Sequence, residues 1–279
     1  MGRMLTFGVY PPHEYIFAVE FRSDLIFDVG ASYGDDSAYY LHKGYRVVAV
    51  EADPSAVSRL GQRFASELQQ GRLTLVPLAI AGAEGEALFW VCDDQPGRSS
   101  FDRSLASYNG ARHHPVVVQT CRLGTLLNKY GTPFYCKIDI EGSDCLCLAD
   151  LTQETRPSFI SAELLPGDRH IECLRELGYR RFKILSQRTF RPPKRTFAAL
   201  KAWMPHRLRR RITNIEEHLT RHRSDKDWRF SQYSSGPFGH ETCGAWETAA
   251  EALALQRLLE RRPDGTDWYD VHAALEGDV

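Results

Sequence analysis

The stretch DLIFDVGASYGDDSAYYLHKGYRVVAVEAD, residues 24–53, confines this chain to a narrow set of folds. Leu25, Ile26, Phe27 and Val29 form a short apolar run that ends in a loop holding Gly30 and Gly34. Asp35, Asp36 and Ser37 open a helix expected over 38–43 and stopped by Gly44. A second apolar run, Val47 to Val50, ends on Glu51. A strand, loop, helix and strand with an acid at the second strand's tip is the layout of a nucleoside-binding crevice. Glycine lets backbone approach a ligand closely, and a glutamate can accept both ribose hydroxyl protons.

The loop discriminates among nucleoside cofactors. A dinucleotide site would carry G-x-G-x-x-G and seat a pyrophosphate on the helix N-terminus. Here the spacing is Gly30-x-x-x-Gly34, and two carboxylates occupy the first helical turn. They satisfy the positive end of the helix and repel a diphosphate. S-adenosylmethionine has no phosphate and carries a sulfonium and an ammonium. A loop flanked by Asp28, Asp35 and Asp36 is therefore expected to suit it, and glycines that merely shape a turn are the bland alternative.

Composition is that of a globular protein: 279 residues, 43% hydrophobic, 25% charged and a net charge of −1. No apolar stretch reaches the roughly 18 residues that span a bilayer. MGRMLTFGVYPPHEY lacks an apolar signal core, and seven cysteines without a C-x-x-C pair fit free thiols. A cytoplasmic location is the expectation. Twelve Lys or Arg and no acid lie between Leu177 and Ile215. That run is either a solvated insertion or a basic lip that gathers an anionic acceptor. No nucleic-acid recognition motif accompanies it.

Asp53-Pro54 reads as a cap and first position of a helix over 54–70. Strands are expected at 72–80, 87–91, 116–120, 134–140, 158–164 and 179–185, with helices at 123–130, 144–151 and 167–177 between the later ones. Residues 228–233 add a last strand, and 246–261 show helical periodicity. This is an α/β chain with a mostly parallel, doubly wound sheet and a C-terminal helical extension. It divides into a lead-in (1–22), a Rossmann-like core (23–186), a basic insertion or lip (187–225) and a C-terminal strand and helices (226–279), one domain overall.

The segments FDVGASYG (27–34), VVAVEADP (47–54), Ser99-Ser100-Phe101, KIDIEGSD (137–144), SAEL (161–164) and the tail SSGPFG…WYDVHA resemble FkbM-type S-adenosylmethionine-dependent methyltransferases. The likeness covers most of the chain, and KIDIEG is its most specific element. It implies a class I methyltransferase sheet of seven strands and methyl transfer, commonly to a hydroxyl of a sugar, lipid or polyketide-type product. Asp28, Gly30, Gly34, Glu51 and Asp139 match the family pattern, with Ser32 where Asn is frequent. Cofactor contacts are expected from Asp28, Gly30, Ala31, Gly34, Glu51, Ala52, Ala79, Ser100 and Asp139. The partner is a small-molecule or carrier-linked hydroxyl acceptor.

Methyl transfer to an alcohol needs in-line geometry and a base. Asp139 and Glu141 flank the end of a central strand, where open α/β sheets place ligands. As residues i and i+2 of an extended chain they face one side. Asp139 is expected to hold the cofactor's ammonium or the acceptor hydroxyl, and Glu141 or Glu163 to be the base. Glu141 alternatively caps the next helix. Asp139, Glu141 and Asp144 are three hard oxygen ligands within six residues, but nothing in the sequence adds a further donor, so no metal is expected. His113-His114, and the i,i+4 pair His218 and His222, read as surface. Two rival functions are a nicotinamide-dependent oxidoreductase and an inactive nucleoside-binding relative. Tyr179-x-x-x-Lys183 superficially suits the first, but a strand would separate the two by about 13 Å.

Overall fold

The computed structural model describes residues 19–165, 167, 169–196, 227–260 and 268–278, with isolated positions between 197 and 226. Its centre is a seven-stranded sheet in the order β3-β2-β1-β7-β8-β12-β9. The strands are β1 (Phe21–Val29), β2 (Arg46–Glu51), β3 (Leu73–Pro77), β7 (Thr132–Ile138), β8 (Phe159–Glu163), β9 (Arg181–Ser186) and β12 (Tyr269–Ala274). From β3 to β8 all neighbours are parallel, and β12 runs antiparallel to both β8 and β9. A small sheet, β4 (Ala79–Ile80), β6 (His113–Cys121) and β5 (Gly85–Cys92), flanks it. The strand expected at 72–80 therefore breaks at Leu78, one part staying in the main sheet and the other joining β6.

Alternation along the strands divides the core. Phe27, Val48, Cys136 and Ile160 belong to one apolar cluster with helices α5 (Leu123–Tyr130), α6 (Asp144–Ala149), α7 (His170–Glu176) and α8 (Ala249–Glu260). Ile26, Val47, Tyr135 and Phe159 belong to the other, under α1 (Asp35–His42) and α2 (Pro54–Arg63). The helix expected over 54–70 is interrupted at Phe64, and its remainder is α3 (Ala65–Gln69). A one-turn α4 (Arg103–Ala106) lies between β5 and β6. Asp53 caps α2 by accepting from the Ser55 amide at 2.8 Å.

Residues 228–233 do not extend the main sheet. Trp228–Arg229, β11, pairs only with Ser224–Asp225, β10. The segment turns inward because its aromatic rings and hydroxyls find better partners on α1. Phe230 lies edge-on to Tyr39 at 4.7 Å, and Ser231 and Ser234 donate to Asp35 and Asp36. The strand that completes the sheet is β12 instead. Among the described residues no helix is long and apolar enough to cross a membrane.

One polar cluster is enclosed on the α1 side. Asp28 and Lys137 are register partners on β1 and β7, and the Lys137 ammonium lies 3.3 Å from Asp28, 3.6 Å from Asp36 and 3.6 Å from Asp139. It also donates to the Gly30 carbonyl at 3.0 Å. Burial works against the lysine's charge, but Asp28, Asp139 and Asp36 outweigh it and hold the ammonium protonated. Burial pushes the Asp36 carboxyl up to about 6, against the pull of Lys137.

Two predictions follow from this packing. A group whose folded pKa is raised contributes stability that is complete below the unfolded value and lost as pH climbs through the folded one. At about 1.4 kcal/mol per pH unit, ionising Asp36 between about pH 4 and pH 6 costs roughly 3 kcal/mol. Urea titrations at pH 4 and pH 7 are expected to show that fall in wild type, less in Asp36→Asn by about that amount. The second concerns backbone space. Gly30 has φ +86°, and a Cβ there would sit 1.8 Å from the Asp139 carbonyl oxygen, whereas one at Gly44, φ +91°, meets nothing within 4 Å. Gly30→Ala is expected to lose at least ~3 kcal/mol in the same assay, and Gly44→Ala about 1–2 kcal/mol from φ alone.

Candidate active site

The carboxyl ends of β1, β2 and β7 open on a cleft. Its floor is Gly30, Ser32, Glu51 and Ala52, its apolar wall Leu78, Ala79, Ile80, Phe89 and Phe101, and its far end Asp139, Glu141 and Ser143. The glycine loop is anchored where β1 passes β2: the Gly30 and Ala31 amides both donate to the Val50 carbonyl at 3.0 Å. Gly34, φ +77°, starts α1, and a Cβ there would strike Leu60 and Phe64 at 2.5 Å. Gly30 thus admits the β7 backbone, and Gly34 admits α2.

Glu51 is buried and accepts three backbone hydrogen bonds, from Ser32 at 2.7 Å and from Ala52 and Asp53 at 2.8 Å. Burial raises its pKa, and the three amides oppose the rise. The carboxylate is thereby fixed at the cleft floor with its orientation set by main chain.

At the opposite end, Glu141 has a left-handed backbone, φ +50°, followed by Gly142 at +88°. Ser100 holds this turn by donating from Oγ to the Glu141 carbonyl at 2.8 Å. Strand β7 ends at Ile138, so Asp139 and Glu141 do not converge through strand alternation; the left-handed turn brings them together. Glu163, at the tip of β8, joins them, and one carboxylate oxygen from each of the three lies within 4.8 Å of the others. Desolvation, then the Asp139 charge, pushes Glu141 up to about 8. Burial and the charges of Glu141 and Asp139 push Glu163 well above the usual carboxylate range. Asp270, the register partner of Glu163 on β12, is raised by burial and by Asp139. Glu141 does not cap α6, whose N-cap is Ser143 with no side-chain bond.

Of the residues expected to contact a cofactor, Gly30, Glu51, Ala52, Ala79 and Asp139 line the cleft. Asp28, Ala31 and Ser100 are buried behind it, and Gly34 faces α2. The electrostatic expectation built on Asp28, Asp35 and Asp36 needs correcting, because all three are engaged elsewhere. Asp28 takes Lys137 and the Ser37 hydroxyl, Asp35 takes Arg63 and Ser231, and Asp36 takes Lys137, Ser234 and the Ser235 amide. The acids that face the cleft are Glu51, Asp139 and Glu141.

Sequence reasoning gave no role to Lys137, although it opens the KIDIEG motif, or to Asp270, which alternates with Tyr269 and Val271 in an unrecognised strand. Tyr179 and Lys183 serve packing: the phenol donates to the Pro157 carbonyl and the ammonium to Thr242. His113 contacts Arg103 and Ala111, and His114 pairs with Asp93 at the surface. His218 and His222, and most of the basic run beyond residue 196, lie outside the described residues.

The donor set suits a cationic nucleoside. Carboxylates and apolar side chains line the same cleft. No curated protein matches the chain. Among solved structures it is similar to precorrin-6y C5,15-methyltransferase from Geobacter metallireducens, at 11% identity and a TM-score of 0.37, over 91% of this chain and 81% of that one. It is also similar to the glycopeptide N-methyltransferase MtfA complexed with sinefungin, at 12% identity and a TM-score of 0.31, over 92% and 82%. The family model for the FkbM methyltransferase domain matches residues 28–181, more than half of the 279-residue chain. The chain belongs to the FkbM methyltransferase family.

Proposed function

We propose that this methyltransferase alkylates a hydroxyl of a small-molecule or carrier-linked acceptor, of the sugar, lipid or polyketide type. The observation that carries the reading is the meeting of Asp139, Glu141 and Glu163 at one end of a cleft whose floor carries Glu51. S-adenosylmethionine supplies a methyl group on a cationic sulfur. Glu51 receives the ribose hydroxyls, and Ala79, Phe89 and Phe101 form the wall for the adenine. Asp139 holds the ammonium of the donor or the acceptor hydroxyl. Glu141 or Glu163 takes the acceptor proton while the oxygen forms its bond to the methyl carbon and the carbon–sulfur bond breaks with its electron pair going to sulfur. An alcohol has to shed a proton at transfer whereas a neutral amine attacks directly, so a cluster of carboxylates favours an oxygen acceptor.

The roles separate experimentally. Losing charge-assisted hydrogen bonds from Glu51 costs about 1.5–3 kcal/mol, so Glu51→Gln is expected to weaken cofactor binding by roughly 10- to 100-fold in calorimetric titration. Glu141→Gln and Glu163→Gln are expected to bind the cofactor as wild type does and to lose turnover by roughly 10²- to 10⁴-fold. Turnover would be followed as mass gain of one methyl group in a panel of hydroxyl and amine acceptors. Methylation confined to amines, or normal turnover in both glutamine variants, would overthrow the assignment.

A further inference from the structure

We propose that Asp139, Glu141 and Glu163 form a site for one hard divalent cation, Mg²⁺ or Mn²⁺, that seats the acceptor hydroxyl. The inference rests on reading this end of the cleft as the acceptor side. From sequence no metal was expected and Asp144 was the third candidate ligand; the fold supplies Glu163, from the neighbouring strand, in its place.

The first ground is geometry. A six-coordinate cation with metal–oxygen distances of about 2.0–2.1 Å spaces its ligand oxygens roughly 3–4 Å apart. The three carboxylates already offer oxygens within 4.8 Å of one another, so small side-chain rotations close the set. The second ground is an oxygen with nothing to bind. Glu163 is 6% exposed, and its Oε2 is buried with no hydrogen-bond partner. A carboxyl oxygen left so is costly, and its residue belongs to the same cluster as the other two acids.

Charge is the third ground. Lys137 approaches Asp139 but is shared with Asp28, Asp36 and the Gly30 carbonyl. Arg98 acts on Glu141, while Asp144 and Asp270 add negative field at Glu163. Five acidic side chains, Asp139, Glu141, Glu163, Asp144 and Asp270, thus act on one another here against two cationic ones. An all-oxygen ligand set without nitrogen or sulfur selects Mg²⁺ or Mn²⁺ over zinc or copper.

Three protein ligands leave coordination positions open, and Asp139 and Glu141 line the cleft. An acceptor hydroxyl placed there loses its proton more readily because the cation stabilises the developing charge. The oxygen's electron pair makes the new bond to carbon, the carbon–sulfur pair returns to sulfur, and the proton passes to the carboxylate oxygen of Glu141 or Glu163 that does not bind the cation, and from there to solvent. The cation is unchanged and no redox step is involved.

The test uses the full chain, stripped with EDTA, dialysed and titrated with MnCl₂ while free Mn²⁺ is followed by electron paramagnetic resonance. One Mn²⁺ per chain is expected, bound roughly tenfold or more weakly by Glu163→Gln and by Glu141→Gln, each of which keeps its affinity for S-adenosylhomocysteine as a check on folding. Saturating S-adenosylhomocysteine is expected to leave Mn²⁺ bound. No Mn²⁺ binding in wild type, or equal binding in both variants, overturns the proposal. So does displacement of Mn²⁺ by S-adenosylhomocysteine, since the cluster would then be the seat of the cofactor's ammonium. If metal-stripped wild type methylates at full rate while Glu163→Gln remains inactive, the cation is refuted and the carboxylate base stands.

Discussion

The buried ammonium of Lys137 is the interaction around which this molecule is arranged. It ties β7 to β1 through Asp28, to α1 through Asp36, to the glycine loop through the Gly30 carbonyl and to the acidic cluster through Asp139. Burial works against the charge of a lysine in that position, and the three aspartates beside it favour that charge. The four elements the lysine joins are those that shape the cleft. The electrostatics of the floor and of the far end are therefore coupled through one side chain.

The C-terminal tail is part of the same arrangement. Ser234 and the Ser235 amide complete the shell of Asp36, while Phe238 stacks on Tyr135 at 4.7 Å and Tyr39 donates to Glu241 at 2.6 Å. The tail meets the glycine-loop helix on the side away from α5 to α8, so the loop is buttressed from behind. Ser100 does the corresponding work at the acidic end by pinning the strained Glu141 turn.

Local signals carried the sequence reading well wherever an element's own residues decide its state. Glycine stops, the Asp53-Pro54 cap and apolar runs announce β1, β2, α1, α2 and α5 because those signals act over a few residues. Contacts between distant segments left no such mark. Residues 228–233 look like a strand, yet their partners on α1 lie nearly 200 positions earlier and pull them out of the sheet. β12 contains buried Asp270 and His272, so its apolar pattern is thin and only its place between two strands explains it. The carboxylates of Asp28, Asp35 and Asp36 were legible as charges but not as charges already spoken for. Two of the catalytic candidates, Asp139 and Glu141, came from one motif and Glu163 from another, and the left-handed turn that gathers them has no sequence signature beyond Gly142.

The order of β8, β12 and β9 has a bearing on how the chain is assembled as it is synthesised. β9 is translated some eighty residues before β12 but lies outside it, with β12 hydrogen-bonded on both sides. Until the later strand arrives, β9 has no neighbour in the main sheet and β8 presents an open edge, which is the kind of surface that recruits chaperones or foreign strands. The parallel half of the sheet can form while the ribosome is still at work. Closure of the other half waits for the last-made strand, and only then is Glu163 walled in beside its fellow acids.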